Sequence, residues 1–482
     1  MVTKSKLLFI ALLAGLLSCS GVPFLVPNPP GGKKTETAGP GREETKRSLP
    51  PPVSAAGADA IDFAVAFAED TGGRENVPPA ASVEAEKTPL VSGFHNLIVV
   101  PGKMIRVALR RNVSRTVLHT SDTMEVHSPS LKIAARCMGR IMVETKGTGY
   151  ITIIVNDGPP HDVALPCTLT AVRQSNLFDL GEERYRGSLI ITGKGVLTLV
   201  NHVAVEEYLR GVVPLEMGKR SREEIEALKA QAVAARTYAY KHIGGNKGES
   251  FDVLRTIADQ VYGGADVETV EADYAVNATR DLVLLWRDSL ADVYYHSTCG
   301  GRTAGIDEAW GNSYREYLCS RNDIASDGQA YCSFSPAYTW EESWDAGDLS
   351  KILSTTAGQT VPDARFGGRL RAIKVEQRFG CGRVKMCRLL GTEGSVACGG
   401  DKIRFVLRRK SASGEILRST NFSVEKNGPD IFMLRGKGYG HGVGMCQMGA
   451  IGRSRRGQNF EQILLAYFSP AQIGRIQFAP AR

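Results

Sequence analysis

A chain of 482 residues, 43% of them hydrophobic, is long enough for two or three domains with their own cores, which excludes a small disulfide-held module. The formal net charge of +8 is scattered along the chain apart from the run Arg453–Arg456. Nucleic-acid binders usually carry a basic stripe with interleaved aromatic residues, so we expect a solvated charged surface at this run and no nucleic-acid partner.

The first residues have the pattern of a secretory signal. Lys4 and Lys6 provide a positive start, and the apolar run 7–17 is too short to span a bilayer. The run ends in Leu-Leu-Ser-Cys19, which resembles a bacterial lipobox with lipid attached to the cysteine sulfur. The sequence therefore predicts a signal peptide over residues 1–19 and an exported, membrane-anchored lipoprotein. An ordinary signal peptide with an incidental cysteine stays open.

The next two segments differ in amino-acid composition and in the pattern of their apolar residues. Residues 20–90 are rich in Pro, Gly, Lys and Glu with little apolar periodicity, which predicts a disordered tether. Over residues 95–172, short β-type runs alternate with Gly, Pro and Asn-Asp-Gly turns, which predicts an all-β accessory module without chemistry of its own. A further strand pair flanks Gly193-Lys-Gly195 and predicts a hairpin.

The stretch 207–240 contains the best candidate for a catalytic acid. Its helical pattern breaks at Pro214, exposes Glu216, and resumes at Ser221 and Glu224, which form a capping box. Apolar residues at three- and four-residue steps then predict a long helix that faces a core. We therefore expect Glu216 in a short connection between packed helices, held rigidly yet open to a ligand.

A glycine-rich segment, residues 435–444, has glycine at every second position. In an extended strand side chains alternate, so Lys437, Tyr439 and His441 are expected to project from one face while the other face is bare backbone. Each glycine weakens a strand, so tight packing or ligand approach must offset the cost. Gly300-Gly301, farther back in the chain, predicts a sharp turn with positive φ.

Ten cysteines agree with an oxidising compartment. The plausible bridges are Cys137 with Cys167, Cys319 with Cys332, and one pair among Cys381, Cys387 and Cys398. Cys299 and Cys446 remain, and both lie inside motif segments.

Six segments in one order make the chain recognisable. They are EEYLRGVVPLEM, ALKAQAVAARTYA, DQVYGG, AVNATRDLVL, YYHSTCGGRT and GYGHGVGMCQMGA. Together they resemble the family of stage II sporulation protein D and the amidase enhancers, over about Tyr185–Gln477. We therefore predict an α+β fold, in which a mixed helix and β-sheet catalytic region at residues 185–477 follows the all-β accessory module.

The resemblance implies a peptidoglycan lytic transglycosylase, active in cell-wall remodelling or sporulation. Such an enzyme cleaves denuded glycan strands between N-acetylmuramic acid and N-acetylglucosamine and leaves a 1,6-anhydro end. The family's catalytic Glu falls on Glu216. One carboxylate suffices, because the sugar's own 6-hydroxyl replaces water as the attacking group. The alternative is a non-catalytic peptidoglycan-binding activator of a partner N-acetylmuramoyl-L-alanine amidase.

We expect six further residues to bind substrate: Arg236, Lys437, Tyr439, His441, Gln260 and Tyr262. For each of them a purely structural role is the alternative. Arg236 could brace the fold against an internal carboxylate, the glycine-rich segment could be purely structural, and Gln260 and Tyr262 could shape a turn. Glu206 and Glu207 are expected to be solvated. We also expect apolar burial of Glu216 to raise its pKa against the effect of nearby cations.

This reaction needs no cofactor. A structural zinc near His296 and Cys299, completed by Cys446 or His441, stays open because thiols and an imidazole suit that metal. A Cys299–Cys446 disulfide is the alternative. The expected partners are thus peptidoglycan glycan strands, the membrane through a lipid anchor at Cys19, and an amidase, with the protein facing the cell wall in a periplasmic or extracytoplasmic space.

Overall fold

The computed structural model describes residues 97–100, 102–132, 134–173, 177–245, 248–410 and 414–478. The predicted signal peptide, Cys19 and the tether lie outside these residues. The described chain combines helices with strands in several sheets, which confirms the α+β prediction. Within this part of the chain, no helix has both the length and the apolar character needed to cross a membrane.

The first part of the described chain is built from strands. They are β1 (Leu97–Val100), β2 (Met104–Val113), β3 (Arg115–His127), β4 (Ala135–Thr145), β5 (Tyr150–Val155), β6 (His161–Ala164), β7 (Cys167–Ala171), β8 (Phe178–Leu180), β9 (Glu183–Tyr185), β10 (Ser188–Gly193) and β11 (Leu197–Ala204). β10 and β11 form the predicted antiparallel hairpin. Asn156 and Asp157 turn between β5 and β6 with φ of 50° and 56°, as hairpin turns require.

One sheet crosses the predicted module boundary. Together with β12 (Val253–Leu254), its order is β12-β2-β11-β10-β7-β3-β4-β5-β6, and β8 and β9 pair at its side. Alternating burial along these strands gives one apolar face, with Leu118 and Ile141 fully buried. The sheet of the predicted β module thus continues into β10 and β11, while the division into two domains stays a prediction.

Two long helices follow β11 directly. α1 spans Val205–Met217, and a single 3₁₀ turn then leads into α2 (Ile225–His242). The capping box is confirmed, because the Glu224 carboxylate accepts a hydrogen bond from the Ser221 N–H at 3.4 Å. The predicted break at Pro214 is wrong. Proline removes one helical hydrogen bond, but the buried apolar face of α1 keeps the last turn helical.

The remaining elements surround α2 or form a second core. They are α3 (Val270–Ala278), β13 (Leu282–Trp286), β14 (Ser289–Leu290), β15 (Tyr295–His296), α4 (Ile306–Trp310), β16 (Thr339–Asp345), α5 (Ala346–Thr360), β17 (Leu370–Arg378), β18 (Val384–Gly391), β19 (Ser395–Gly399), α6 (Lys402–Val406), β20 (Phe422–Asn427), β21 (Ile431–Lys437), β22 (Met445–Cys446), α7 (Gln447–Arg455), α8 (Phe460–Phe468) and β23 (Gln472–Phe478). Four strands pair in the order β1-β23-β13-β14.

Helix α2 is buried along most of its length. Its alanines, such as Ala232 and Ala235, are fully buried, so α1, α3, α7 and α8 can pack closely around it. The small side chains at these positions make α2 the centre of the main apolar core.

A second apolar core lies between residues 340 and 434. The sheets β16-β21-β20 and β17-β18-β19 enclose it with α5 and α6, and Trp344 and Leu434 are almost fully buried there. β21 leads out of this core into the glycine-rich segment. The short parallel pair β15 and β22 then sets His296 opposite Cys446, and this pairing holds the start of α7 beside the turn that follows His296.

Candidate active site

Glu216 lies in the last turn of α1 and is only 4% exposed. The sequence predicted an exposed carboxylate in a connection between helices, and both parts of that prediction are wrong. The turn that carries Glu216 is helical, and the neighbouring Val212, Val213 and Met217 are fully buried. Glu216 is therefore an ionisable group enclosed by the main core.

Both carboxylate oxygens of Glu216 accept one hydrogen bond. The Val261 N–H donates to Oε1 at 3.1 Å, and the Gln447 side-chain Nε2 donates to Oε2 at 3.1 Å. Burial raises the pKa of Glu216 to about 7, and these two hydrogen bonds to the charged form oppose the rise. The expectation that burial prevails for this pKa is confirmed.

The Val261 N–H is presented by a turn that follows β12, in which Gln260 is buried and Val261 is half-buried. The Gln260 side chain is fully buried, accepts from the Tyr208 hydroxyl at 3.1 Å and donates to the Tyr295 hydroxyl at 2.8 Å. On the other side, the Tyr262 hydroxyl donates to Asn201 Oδ1 at 2.9 Å. Both polar side chains are enclosed and already paired, which fits the alternative that Gln260 and Tyr262 shape the turn; their role as substrate contacts stays a prediction.

Gln447 was not predicted from the sequence as a site residue. It is the first residue of α7, follows Cys446 of β22 and is fully buried. The only signal that pointed toward it was its place inside the segment GYGHGVGMCQMGA. Its contact with Glu216 joins positions 231 residues apart.

The glycine-rich segment is not the predicted strand. β21 ends at Lys437, and Gly438, Gly440, Gly442 and Gly444 follow with φ of 82°, 104°, 89° and 73°. A side chain at Gly438 would place its Cβ 2.6 Å from the Thr298 carbonyl oxygen. Glycine therefore serves close packing against the segment after β15, one of the two reasons expected for it.

Lys437, Tyr439 and His441 consequently do not follow one another along one regular strand. Lys437 is exposed, whereas Tyr439 and His441 are half-buried. Backbone hydrogen bonds between Tyr439 and Thr298, at 2.8 and 3.0 Å, fix the loop. Side-chain alternation along an extended strand cannot apply beyond Lys437, because φ is positive at each glycine from Gly438 to Gly444.

His441 lies among aromatic rings. Its ring centroid is 4.9 Å from that of Trp310 and 5.6 Å from that of His296, and its Nδ1 accepts from the Val443 N–H at 3.1 Å. Burial lowers the pKa of His441 to about 4, so the imidazole is neutral at pH 7. A neutral ring can donate or accept a hydrogen bond but supplies no positive charge.

Arg236 of α2 is fully buried and forms a bidentate ion pair with Glu206 of α1, at 2.7 and 2.8 Å. Its Nη2 also donates to the Val276 carbonyl at 3.0 Å, and its Nη1 donates to that of Leu282 at 3.3 Å. These contacts fit the alternative of an internal brace, and a substrate-binding role of Arg236 stays a prediction. Glu206 is likewise not a solvated residue.

The nine cysteines from Cys137 to Cys446 in the described residues are free thiols, so the predicted bridges are not formed. Cys332 lies beside Cys299 with the two sulfurs 3.5 Å apart, and Cys319 stays half-buried outside that contact.

The buried Glu216 makes stability depend on pH. Because its pKa is about 7 in the folded protein and about 4.5 in the unfolded chain, the folded protein holds a proton that the unfolded chain has lost. The free energy of unfolding therefore falls as pH rises from about 4.5 to 7, by about 3 kcal/mol. Glu216→Gln has no ionisable group at this position and therefore lacks this pH-dependent fall. The free energy of unfolding of the variant minus that of wild type should rise by about 3 kcal/mol between pH 4.5 and 8.

Chemical denaturation at several pH values measures this difference. Glu223→Gln is the control, because Glu223 is exposed and lies just beyond α1. A Glu216→Gln difference that stays constant with pH would contradict the assigned pKa.

Comparison with known proteins shows which parts of the chain resemble known families. Residues 193–286 match the family model of stage II sporulation protein, a range that holds Glu216, Glu206, Arg236 and the Val261 turn. Residues 311–444 match a domain of unknown function and contain the second apolar core. The family that the motifs predict is therefore the family whose model matches residues 193–286.

Three relatives show how far the likeness extends. An uncharacterised protein of Brachyspira hyodysenteriae is 29% identical over 298 residues, which cover 61% of this chain and 74% of the relative. The amidase enhancer of Bacillus subtilis is 29% identical over 288 residues, 54% of this chain but only 39% of the relative. Stage II sporulation protein D of Bacillus subtilis is 26% identical over 304 residues, 57% of this chain and 75% of the relative.

Proposed function

We propose that this protein is a peptidoglycan lytic transglycosylase with Glu216 as its general acid and base. The supporting observation is the pKa of about 7 at Glu216, which leaves a substantial share of the carboxyl groups protonated at neutral pH. A residue that must first give and then take a proton works best with a pKa near the working pH. An ordinary exposed glutamate would be almost fully ionised there.

The proposed reaction balances on this single side chain. Protonated Glu216 donates its proton to the oxygen between N-acetylmuramic acid and N-acetylglucosamine, and the bond from the anomeric carbon to that oxygen breaks. The 6-hydroxyl of the muramic acid then bonds to the anomeric carbon and passes its proton to the Glu216 carboxylate. The 1,6-anhydro ring forms, no water is consumed, and Glu216 returns to its starting state.

Gln447 can form a hydrogen bond with Glu216 both when the carboxyl group is ionised and when it is protonated. Its Nε2 donates to the carboxylate, whereas its buried Oε1 has no hydrogen-bond partner among the described residues. Rotation of the amide would let Oε1 accept the proton of neutral Glu216, since an amide offers both a donor and an acceptor. The Val261 N–H stays fixed, so one oxygen keeps its partner in both states.

Exposed groups offer places for the glycan. Trp310 is 38% exposed, and its ring centroid lies 4.9 Å from that of Tyr294, in an edge-on contact, and 4.9 Å from that of His441. Lys437 lies in a surface groove whose lining also includes Trp340. We keep Lys437, Tyr439 and His441 as proposed substrate contacts, with His441 acting as a neutral hydrogen-bonding group.

The same proposal covers location and role. The family match over residues 193–286 and the signal-like residues 1–19 support an exported protein that faces the cell wall. We propose that it is anchored by lipid at Cys19 and acts on peptidoglycan glycan strands in wall remodelling or sporulation.

A second function is supported by one relative. The amidase enhancer of Bacillus subtilis matches this chain over 288 residues, which favours a role as a peptidoglycan-binding activator of a partner amidase. In that case Glu216 would have a structural role and would not catalyse a reaction.

Incubation of the purified protein with denuded glycan, followed by mass spectrometry, separates the two functions. The enzyme should generate 1,6-anhydro ends without any partner. An activator should leave the glycan intact and, in a parallel incubation with peptidoglycan that still carries its stem peptides, increase the release of peptides by an added amidase. The absence of anhydro ends from a folded protein would overturn the transglycosylase assignment.

A further inference from the structure

Four buried side chains from distant parts of the chain converge within the main core. They are Cys299, Asp323, Cys332 and Cys446, here called the thiol cluster. Each is fully buried, and their sulfur and carboxylate oxygen atoms all lie within 4.8 Å of one another. The turn after β15, the loop over residues 319–332 and the end of β22 each contribute to the cluster. Its members are therefore brought together by the fold and not by local sequence.

The spacing in the thiol cluster fits coordination better than covalent bonding. The sulfurs of Cys299 and Cys332 are 3.5 Å apart, far beyond the ~2.05 Å of a disulfide. The Cys299 sulfur lies 3.3 Å from Asp323 Oδ2. Ligands arranged tetrahedrally at ~2.3 Å from one zinc ion would be about 3.8 Å apart. The cluster has the dimensions of a single-ion site.

Backbone amides point at the sulfurs. The Gly301 N–H donates to Cys299 Sγ at 3.3 Å, and the N–H groups of Cys299 and Gly449 each donate to Cys446 Sγ at 3.2 Å. Such donors favour the thiolate, which is the form that binds a metal. They also orient each sulfur, as the outer partners of metal ligands do.

The Asp323 carboxylate is also fixed by hydrogen bonds, as the sulfurs are. Its Oδ1 accepts from Arg453 Nη2 at 2.9 Å, and the Tyr467 hydroxyl lies 3.0 Å from both carboxylate oxygens. Gly449 allows this arrangement, because a Cβ there would come within 2.4 Å of Asp323 Oδ2. Once deprotonated for metal binding, the three thiols and the carboxylate would carry more negative charge than one guanidinium can balance, and a divalent cation would offset the excess.

We propose that Cys299, Asp323, Cys332 and Cys446 bind one structural zinc ion. Three soft sulfurs and one carboxylate oxygen suit this metal, and four protein ligands close its coordination sphere, which is typical of structural sites. The sequence left open a zinc near His296 and Cys299, but His296 is directed elsewhere. Its Nδ1 bonds to the Val443 carbonyl at 3.1 Å, and Asp323 and Cys332 complete the set.

The zinc site would influence the position of the hydrogen-bond donor to Glu216, because a zinc ligand and that donor are neighbours in the sequence. Cys446 directly precedes Gln447, which donates to Glu216 Oε2. An ion bound to Cys446 therefore fixes the start of α7 and keeps the Gln447 amide in reach of the carboxylate. This is a positioning role, since the ion itself lies among protein ligands only.

Metal analysis of the full-length chain, purified under reducing and metal-free conditions and then supplied with equimolar zinc, tests the proposal. We expect about one zinc per chain after removal of free metal. Cobalt(II) in place of zinc should give the visible absorption of a tetrahedral ion with thiolate ligands. Cys332→Ser should reduce zinc retention to background and lower the Tm, whereas Cys319→Ser, in the same loop but outside the cluster, should retain both.

Two results would overturn the zinc site. One is a folded wild-type protein that keeps no zinc and gives no tetrahedral cobalt spectrum. The other is equal retention in Cys332→Ser and Cys319→Ser. If Cys332→Ser does not fold, the wild-type metal content and cobalt spectrum decide alone. These measurements do not involve glycan, so they stand or fall separately from the proposed enzymatic activity.

Discussion

Glu216→Gln should lower the rate of anhydro product formation from denuded glycan by about 10²- to 10⁴-fold, the usual contribution of a general acid and base. Glutamine has nearly the same shape, so it can still accept from the Val261 N–H, but it can neither donate a proton to the leaving oxygen nor take one from the 6-hydroxyl. A single substitution thus removes both proton transfers of the proposed reaction.

The rates are measured by liquid chromatography and mass spectrometry of anhydromuramic ends released with time. Glu223→Gln again serves as the control, and it should retain the wild-type rate because Glu223 is exposed and outside the site. Glu216→Gln is also expected to gain stability relative to wild type at pH 8, because a buried charge has been removed. A variant that is more stable yet inactive cannot owe its inactivity to unfolding.

A Glu216→Gln protein that keeps more than about a tenth of the wild-type rate would contradict the catalytic assignment. Activity would then depend on another carboxyl group. If wild type and variant stimulate an added amidase equally while neither forms anhydro ends, the activator function is supported instead.

Features set by local chemistry could be predicted from the sequence. Ser221 and Glu224 form their capping box because the two partners are three residues apart. Gly300 and Gly301 adopt φ of 77° and 98° because only glycine takes such angles without strain. Patterns of this kind need no knowledge of distant residues.

Features set by tertiary contact could not be predicted in this way. Val261 and Gln447 reach Glu216 across 45 and 231 residues, and neither position carries a pattern that announces a carboxylate partner. Proline ends many helices, yet at Pro214 the buried face of α1 outweighs the hydrogen bond that proline cannot make. The alternating glycines correctly indicated close approach, but the alternation also fits a loop with positive φ at each second residue.

The Arg236–Glu206 pair illustrates the same limit and leads to a second large effect. From the sequence, an arginine on an alanine-rich helix was compatible with substrate binding or with an internal brace. The structure joins α1, α2, α3 and β13 through this one guanidinium, by the bonds to Glu206, Val276 and Leu282. Substitution should therefore act on folding and not on substrate affinity.

Arg236→Met should lower the free energy of unfolding by about 3–5 kcal/mol, because it leaves the largely buried Glu206 carboxylate without its partner. Denaturant unfolding measures this loss. Arg210→Met in α1 is the matched control, since the Arg210 Nε lies 3.9 Å from Asp273 Oδ1 in a partly exposed pair, and it should cost about 1 kcal/mol or less. Both variants shorten an arginine to an apolar chain, so the difference between them reports the buried ion pair.

Combining Arg236→Met with Glu206→Met tests the cause of the loss. If the unpaired carboxylate is responsible, the double variant should regain part of the stability that Arg236→Met alone has lost. A substrate-binding arginine would behave differently, with an unchanged unfolding free energy and a raised KM for glycan. That second outcome would contradict the brace and restore Arg236 to the substrate site.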